Sequence, residues 1–344
     1  MDANVLTKEW FKNGSSLMKY LILGCSSFAG QACYAHLAKN KYDVVGITRS
    51  SQSDEYMWPW MKDERLKKHW LQYNIYSQLE ELIECVTRLK PNIVIDFMGQ
   101  GMVAQSWDDP ALWIQTNSAN KSKLLAAMCK LDSIDRYIRA STPEVYGASD
   151  SYRNEYDQFN PSTPYAISHA AIDYYVRCIG TQYGFPYFIA RYANFYGIGQ
   201  QLYRLVPRLF LSCYTKSKFI LDGGGKSRRS FIYSTDIVDS IDLMIKNGNP
   251  MNEYHFSGLE EVEITKVVDI VCEITDAKRA EFVESGPERT GKDACYRLNC
   301  YKSIKELKWE PKIQLTQGLR QTSEWIKGNL SALSNRSWNY THRQ

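Results

Sequence analysis

Short apolar runs alternate with amphipathic stretches over the first half of the chain. The run Lys19–Leu23 leads into a loop of small residues, and the stretch after it places Ala32, Ala35, His36 and Leu37 on one helical face. Further strand-like runs cover residues 42–48, 92–97 and 137–140, and helical periodicity covers residues 79–89 and 112–130. This order of strand, helix and strand predicts a parallel sheet with helices on both faces.

The pattern changes near residue 200, beyond which short strands mix with helices. Residues 222–227, Asp-Gly-Gly-Gly-Lys-Ser, lack the spacing of a Walker phosphate loop and predict a hairpin turn, and residues 236–245 predict a helix. We expect a doubly wound α/β sheet domain at residues 19–185. A smaller mixed α/β substrate domain follows at residues 186–330, partly interleaved with the first, and residues 1–18 and 331–344 form a leader and a tail.

Composition narrows the class of protein only slightly. The 344 residues carry a net charge of +4 with both signs mixed along the chain, which argues against a nucleic-acid or membrane partner. Nine cysteines are scattered without a CxxC pair, and several lie in apolar runs. We therefore expect a cytoplasmic protein without disulfides and without a metal site.

The loop Gly-Cys-Ser-Ser-Phe-Ala-Gly at residues 24–30 follows the first strand and opens a helix. Glycine allows a tight turn there, and the helix N-terminus presents N–H groups to a pyrophosphate. This context predicts a dinucleotide site rather than an ordinary strand–helix turn. Its expected members are Gly24, Ser26, Ser27, Phe28 and Gly30.

Arg49 and Ser50 follow the second predicted strand. An acidic residue at this place would bind the ribose diol of NAD, whereas arginine can pair with the 2′-phosphate of NADP. Between NAD and NADP, the sequence therefore favours NADP. The alternative is that Arg49 is a surface residue or stacks on the adenine.

A hydroxyl pair and a carboxylate stand about twenty residues before a tyrosine that opens a helical stretch. The first group is Ser141-Thr142-Pro143-Glu144, within Ser-Thr-Pro-Glu-Val-Tyr-Gly at residues 141–147, and the second is Tyr165 in Tyr-Ala-Ile-Ser-His. A phenol and a carboxylate together suit oxidation of a sugar hydroxyl followed by proton removal.

Taken together, the segments resemble the extended short-chain dehydrogenase/reductases that act on nucleotide sugars. The matching segments, in the family's order, are residues 24–30, 106–110, 117, 141–147, 160–165, 191–197, 229–233 and 307–311. Within this NAD(P)-dependent epimerase/dehydratase family the string Thr-x-Glu-x-Tyr-Gly is most similar to nucleotide-sugar 4,6-dehydratases. The resemblance implies a Rossmann-type fold and a nucleotide-diphosphate sugar as substrate.

The resemblance also implies catalytic roles. Tyr165 would take the proton of the sugar 4-hydroxyl, Thr142 would hold that hydroxyl, and Glu144 would remove the C5 proton. His169 stands where the family has a lysine that lowers the tyrosine pKa and binds the nicotinamide ribose, so Tyr165 and His169 are also expected to contact the cofactor. Pro143 stands where many dehydratases have aspartate or serine, and it cannot protonate a leaving hydroxyl.

Basic residues are expected on the substrate side, where the resemblance places the diphosphate. The expected substrate-binding residues are Ser141, Asn194, Arg204, Arg208, Arg229 and Arg289. Residues 112–130 and 168–183 resemble the helices that pair two subunits in the family, so a homodimer is expected. Two alternatives stay open: a 4-epimerase, 4-oxidase or decarboxylase of the same family, and a binding protein weakened in catalysis because of His169.

Overall fold

A seven-stranded parallel sheet forms the centre of the molecule, which we describe from a computed structural model covering residues 18–66, 69–288 and 295–342. The strands of the chain are β1 Lys19–Leu23, β2 Asp43–Thr48, β3 Trp70–Gln72, β4 Ile93–Asp96, β5 Arg136–Ser141, β6 Tyr152–Arg153, β7 Tyr187–Tyr192, β8 Asn194–Tyr196, β9 Phe219–Asp222, β10 Arg228–Tyr233, β11 Asn252–Phe256, β12 Glu261–Glu263, β13 Val283–Gly286 and β14 Arg297–Leu298. The central sheet has the order β11-β7-β5-β4-β1-β2-β3. The chain reverses its direction of winding between β1 and β4, which is where ligands bind in doubly wound sheets.

Helices cover both faces of this sheet. The helices of the described chain, including those of the C-terminal part, are α1 Phe28–Lys39, α2 Leu79–Leu89, α3 Pro110–Ile114, α4 Lys121–Met128, α5 Pro164–Tyr183, α6 Leu205–Thr215, α7 Ser234–Asn247, α8 Ile264–Thr275, α9 Leu315–Gly328 and α10 Leu330–Ser334. The predicted α/β class with a Rossmann-type doubly wound sheet is confirmed.

The alternation of side chains along the central strands explains why both faces need a cover. On β1, Tyr20 and Ile22 pack into the core that contains α1 and α7, whereas Leu21 and Leu23 pack into the core that contains α2, α4 and α5. Successive side chains of a strand point to opposite faces, so a strand that is apolar at every position is buried on both.

The predicted helix at residues 112–130 is interrupted. A π-helical turn, Gln115–Asn120, joins α3 to α4. It places Asn117 so that its side chain accepts from the Gln100 N–H at 2.7 Å and donates to the Gln100 carbonyl at 3.0 Å and the Ser168 hydroxyl at 3.0 Å. The turn thereby ties the loop after β4 to α5.

The C-terminal part forms smaller sheets, and one prediction about it is wrong. Residues 222–227 do not make a hairpin, because β9 pairs in parallel with β13 and β10 pairs with β8 and β12. The glycines form a 3₁₀ turn, Gly223–Gly225, with φ of +59° to +74°. The central sheet also includes β7 and β11, which lie beyond residue 185. Within the described ranges, no helix has the length and apolar character needed to cross a bilayer.

A chain of buried ion pairs fastens α5 to the sheet. Asp173 on α5 accepts from Arg139 Nε of β5 at 2.8 Å and from Arg191 Nη2 of β7 at 2.9 Å. Arg191 continues to Glu253 on β11 at 2.5 Å, and Glu253 also accepts from Arg177 of α5. We call these five residues the Asp173 network. Burial alone would raise the pKa of Asp173, but the two guanidiniums lower it, so the carboxylate stays charged.

We expect Arg191→Met to destabilise the protein by about 3–5 kcal/mol, because it leaves two buried carboxylates short of a partner. Urea unfolding followed by circular dichroism would measure this. Lys218→Met is the matched control, since it removes a cation from an exposed pair with Glu284, and it should leave the stability almost unchanged. Equal losses in the two variants would contradict the role given to the network.

Candidate active site

A cleft of about 970 Å³ opens at the carboxyl edge of the central sheet. Its walls come from the loops after β1, β2, β4 and β5 on one side, and from the segments around β8, β9 and β10 on the other. Carboxyl ends of parallel strands meet at one edge, so residues far apart in sequence converge here. The predicted residues that line the cleft are Gly24, Ser26, Ser27, Phe28, Arg49, Ser50, Ser141, Thr142, Glu144, Tyr165, His169, Asn194, Arg204 and Arg229.

Gly24 begins the loop after β1, and only glycine fits its backbone. Its φ is +76°, and a Cβ at this position would lie 2.6 Å from the Met98 nitrogen and from the Phe97 carbonyl carbon. The turn therefore brings the chain against the loop after β4 and directs the start of α1 into the cleft. This leaves backbone N–H groups at the helix N-terminus facing the ligand space.

Ser27, which stands at the usual place of a middle glycine, caps α1. Its hydroxyl accepts from the Gly30 N–H at 3.0 Å. Gly30 itself lies behind the cleft wall, where a Cβ would come within 2.4 Å of the Gly24 carbonyl oxygen. Ser26 turns toward β2 and shares a hydrogen bond with the hydroxyl of Thr48. The loop thus makes a tight turn between strand and helix with two glycines.

Glu144 lies in a short 3₁₀ turn, Pro143–Tyr146, after β5, and Thr142 stands at its N-cap position. The Thr142 hydroxyl accepts from the Glu144 N–H at 3.3 Å, and Pro143 occupies the first position of the turn. Proline suits that position because its missing N–H would have no partner there. The turn buries Pro143 and leaves the half-buried Glu144 side chain on the cleft wall.

Tyr165 lies in the first turn of α5, which Thr163 caps. Its N–H donates to the Ser106 hydroxyl at 3.2 Å, so the loop after β4 also fixes it. Burial raises the pKa of the phenol well above its usual value, and the Glu144 carboxylate adds to this. The hydrogen bond with Thr142 and the charges of Arg204 and Arg139 lower the same pKa. The phenol, the hydroxyl and the carboxylate therefore meet in one place.

His169 lies one helical turn after Tyr165, with ring centroids 4.6 Å apart. Its Nδ1 is 3.1 Å from Nη2 of Arg139. Burial lowers the pKa of His169 well below its usual value, and the nearby Arg139 lowers it further. The imidazole is therefore neutral at physiological pH and does not supply the cation that a lysine would.

Two of the four arginines predicted to bind substrate, Arg204 and Arg229, line the cleft. The Arg229 guanidinium lies 4.8 Å from the ring centre of Tyr296, whose hydroxyl donates to Asn194 Oδ1. Arg204 stands at the N-cap position of α6, and its guanidinium lies over the ring of Tyr203. Arg208, one turn further along α6, lies outside the cleft wall. Arg289 lies outside the described residues, and the Ser141 hydroxyl donates to Asp173 at 2.6 Å rather than standing available to a ligand.

The structure adds cleft residues that sequence reasoning missed. The loop Met98-Gly99-Gln100-Gly101 follows β4 and forms the floor. Glycines directly after a predicted parallel strand were the signal that could have revealed it.

Two further parts of the cleft wall could not be predicted from any local sequence pattern. Trp58 lines the cleft and stacks on Trp60 with ring centroids 5.8 Å apart and an interplanar angle of 8°. The C-terminal segment at residues 336–341 also lines the cleft. It is held there by Tyr340 packing edge-on against Tyr203 and by Arg336 pairing with Asp54.

A nicotinamide dinucleotide fits this donor set. The Gly24 turn packs against the loop after β4 without room for a Cβ, and the capped start of α1 borders the cleft. Arg49 and Ser50 line the cleft after β2, and Tyr165 and His169 line it from the start of α5. A dinucleotide spans the carboxyl ends of such strands in this order.

The chain belongs to the NAD dependent epimerase/dehydratase family, whose sequence model matches residues 20–256. The dTDP-glucose 4,6-dehydratase of Salmonella typhimurium is 26% identical, covering 95% of this chain and 100% of that protein. The dTDP-D-glucose 4,6-dehydratase of Homo sapiens is 28% identical, covering 70% of each. The predicted family is confirmed.

Solved structures show the same fold. The NAD-bound dTDP-glucose 4,6-dehydratase of Streptomyces venezuelae has a TM-score of 0.83 at 23% identity, covering 92% of this chain and 98% of that one. The UDP-glucose 4-epimerase of Thermotoga maritima, solved with UDP-glucose, has a TM-score of 0.81 at 25% identity, covering 91% and 100%.

We expect acid to destabilise the protein below about pH 6.5. Burial lowers the pKa of both His169 and His255, so the folded state keeps them neutral while the unfolded chain binds their protons. Stability is then complete above the unfolded pKa and falls with pH by up to about 1.4 kcal/mol per unit for each histidine. Urea unfolding at a series of pH values should show a shallower slope in His169→Gln. An unchanged slope would mean that the pKa of His169 is the same in the folded and unfolded states.

Proposed function

We propose that this protein is a nucleotide-sugar 4,6-dehydratase that converts a hexose sugar nucleotide to its 4-keto-6-deoxy form. The observation that carries the proposal is the convergence of Thr142, Glu144 and Tyr165 on one wall of the cleft, with the phenol hydrogen-bonded to Thr142 and within the field of Glu144. These three side chains can carry out the two proton transfers that the reaction requires. Curated relatives named as dTDP-glucose 4,6-dehydratases support the same reaction.

The first proton transfer takes place at the sugar 4-hydroxyl. Thr142 holds that hydroxyl, and Tyr165, as phenolate, accepts its proton while C4 becomes a ketone. The NAD cofactor, when bound, supplies the two-electron oxidation at C4 and later returns the two electrons to C6. The phenol needs cations nearby to ionise, and Arg204 and Arg139 are placed to lower its pKa against the effect of burial and of Glu144.

The second proton transfer takes place at C5, whose C–H bond the 4-ketone acidifies. Glu144 accepts this proton, the C6–O bond breaks, and a C5–C6 double bond forms. Pro143 has no proton to give, so the leaving oxygen takes its proton from the newly protonated Glu144 and departs as water. The hydride taken from C4 returns to C6, and C5 receives a proton equivalent to the one that Tyr165 took from the 4-hydroxyl. Tyr165 is then phenolate again and Glu144 is a carboxylate again. One carboxylate thus serves as base and then as acid.

Arginine side chains hold the diphosphate. Arg229 is only 9% exposed and lies at the cleft wall beside the Asn194–Tyr296 pair, and Arg204 faces the same space. A guanidinium engages phosphate oxygens in pairs, which fixes the sugar relative to Tyr165. The names of the curated relatives make dTDP-glucose the first substrate to test.

The position of Arg49 supports acceptance of NADP beside NAD. It follows β2 and lines the cleft with Ser50 and Ser51. The acids among the described lining residues, Glu144 and Asp222, come from other elements. Solved relatives that carry NAD support the dinucleotide itself, and Arg49 supports the 2′-phosphate as an additional contact.

A homodimer and a reducing compartment belong to the same proposal. Ile114 of α3 and Ile167 and Tyr174 of α5 are 45–46% exposed on the helices that the family resemblance assigns to subunit pairing. A second copy of the chain would cover them. All nine cysteines are free, which suits a cytoplasmic protein.

We expect Glu144→Gln to stop the reaction after the first step. Turnover of dTDP-glucose should fall by about 10²–10⁴-fold, while mixing with substrate still reduces the bound cofactor, because oxidation at C4 does not use Glu144. Mass spectrometry of the product and the absorbance of reduced nicotinamide read the two steps separately. Glu80→Gln, on the exposed side of α2, is the matched control.

The same assay separates the alternatives. A wild-type product lighter by one water supports the dehydratase, and unchanged turnover in Glu144→Gln would overturn the role of that residue. An unchanged mass indicates the epimerase, loss of two hydrogens the oxidase, and loss of carbon dioxide from a uronic acid substrate the decarboxylase. Binding of cofactor and dTDP-, UDP-, GDP- and CDP-sugars without any product would identify a binding protein.

We expect Arg49→Ser to weaken NADP binding by about 10–100-fold and to change NAD binding little, because it removes a charged hydrogen-bond donor from the 2′-phosphate. Calorimetric titration with each dinucleotide would measure both constants. Arg208→Ser, outside the cleft wall, is the control. Equal losses for NAD and NADP would show that Arg49 contacts the adenosine shared by the two.

A further inference from the structure

Arg139 touches His169 and is itself buried, being 1% exposed. Its Nη2 lies 3.1 Å from His169 Nδ1. A guanidinium only donates hydrogen bonds, so Nδ1 must be the acceptor and carry no proton. The ring proton of the neutral imidazole is then on Nε2. Among the described residues Nε2 has no hydrogen-bond partner, and the side chain lines the cleft.

The position of Arg139 is fixed from behind. Its Nε donates to Asp173 Oδ1 at 2.8 Å, and Asp173 also accepts from the Ser141 hydroxyl at 2.6 Å and from Arg191 at 2.9 Å. Asp173 and His169 stand four residues apart on one face of α5, while Arg139 belongs to β5. A rigid contact between sheet and helix therefore sets the ring orientation of His169.

The Asp173 network also carries a surplus of positive charge. Arg139, Arg177 and Arg191 stand against Asp173 and Glu253, and Arg139 is the cation that faces the site. The neutral imidazole thus lies between this cation and the phenol of Tyr165, whose ring centroid is 4.6 Å from that of His169.

We propose that Arg139 is a positioning residue for the proposed dehydratase: it holds His169 in the Nε2–H tautomer, so that the ring donates a hydrogen bond into the cleft, and it supplies from behind the charge that the imidazole lacks. This inference rests on the proposed function for its catalytic part only. The tautomer follows from the geometry alone. Arg139 and His169 together then do the work that the family gives to one lysine.

The contact between Arg139 and His169 predicts the effect of His169→Lys on turnover. Restoring the family's lysine alone would place two buried cations side by side, and we expect it to lower turnover instead of raising it. In Arg139→Met/His169→Lys, one cation is left and faces Tyr165 directly. The two substitutions should therefore compensate each other.

The first experiment reads the tautomer without substrate. Long-range ¹H–¹⁵N correlation spectra of protein labelled at its five histidines, assigned with His169→Asn, should show His169 as the Nε2–H form in the wild type. Arg139→Met should lose that pattern, and Arg139→Lys should keep it because an ammonium also only donates. An Nδ1–H form or an imidazolium in the wild type would overturn the proposal.

The second experiment is a double-mutant cycle on the proposed reaction. Arg139→Met and His169→Lys should each lower kcat by about 10²-fold, with KM changing much less, and Arg139→Lys should recover part of the loss. The double variant should exceed either single variant by about tenfold, within the range of coupling seen for residues in contact. Additive losses would overturn the catalytic part of the proposal.

The NMR spectra and the turnover measurements test different parts of the proposal. If no sugar nucleotide is turned over, the proposed function fails, while the spectra still decide the tautomer. If Arg139→Met does not fold, Arg139→Lys and His169→Lys still test the sign of the coupling. A wild-type spectrum with the expected tautomer, together with a loss of turnover in His169→Lys, supports the proposal.

Discussion

The charge state of one carboxylate, Asp173, underlies the arrangement of the whole active site. It lies on α5 with no exposure to solvent and accepts from guanidiniums on two neighbouring strands of the central sheet. An ionised carboxylate in such a place is stable only while both partners stay in position, because an unpaired buried charge costs several kcal/mol. The same helix begins with Tyr165 and carries His169. Anchoring Asp173 therefore also fixes the distance between the phenol and the 3₁₀ turn with Thr142 and Glu144.

Much of the fold and the site could be predicted because the signals were local. The loop at residues 24–30 combines a strand, glycines and a helix start within one short segment, and the structure assembles it around Gly24 and the Ser27 cap. Thr142 and Tyr165 each lie in a short recognisable segment, one directly after β5 and the other at the start of α5. Continuous apolar runs revealed which strands are buried on both faces, and the parallel sheet follows from that.

The predictions that failed, or were never made, depended on long-range partners. The glycines at residues 223–225 predict a turn, but they do not determine which strands pair on either side of it. In the structure β9 and β10 belong to different sheets. Arg208 is one helical turn from Arg204, and only the tertiary placement of α6 puts one in the cleft and the other outside. The sequence pattern assigned Arg139 to a strand and gave no sign of a role in the site. Its importance emerges from contacts with residues more than 25 positions away, which no local pattern encodes.

The tryptophan stack beside the cleft has an optical consequence. Trp58 lines the cleft and is in ring contact with Trp60 and Trp70, so excitation of any one of the three indoles can pass to its neighbours. The emission of tryptophan overlaps the absorption of a reduced nicotinamide. Occupancy and redox state of the cofactor should thus be visible in the intrinsic fluorescence of the protein, which makes the cluster a built-in reporter that needs no added dye.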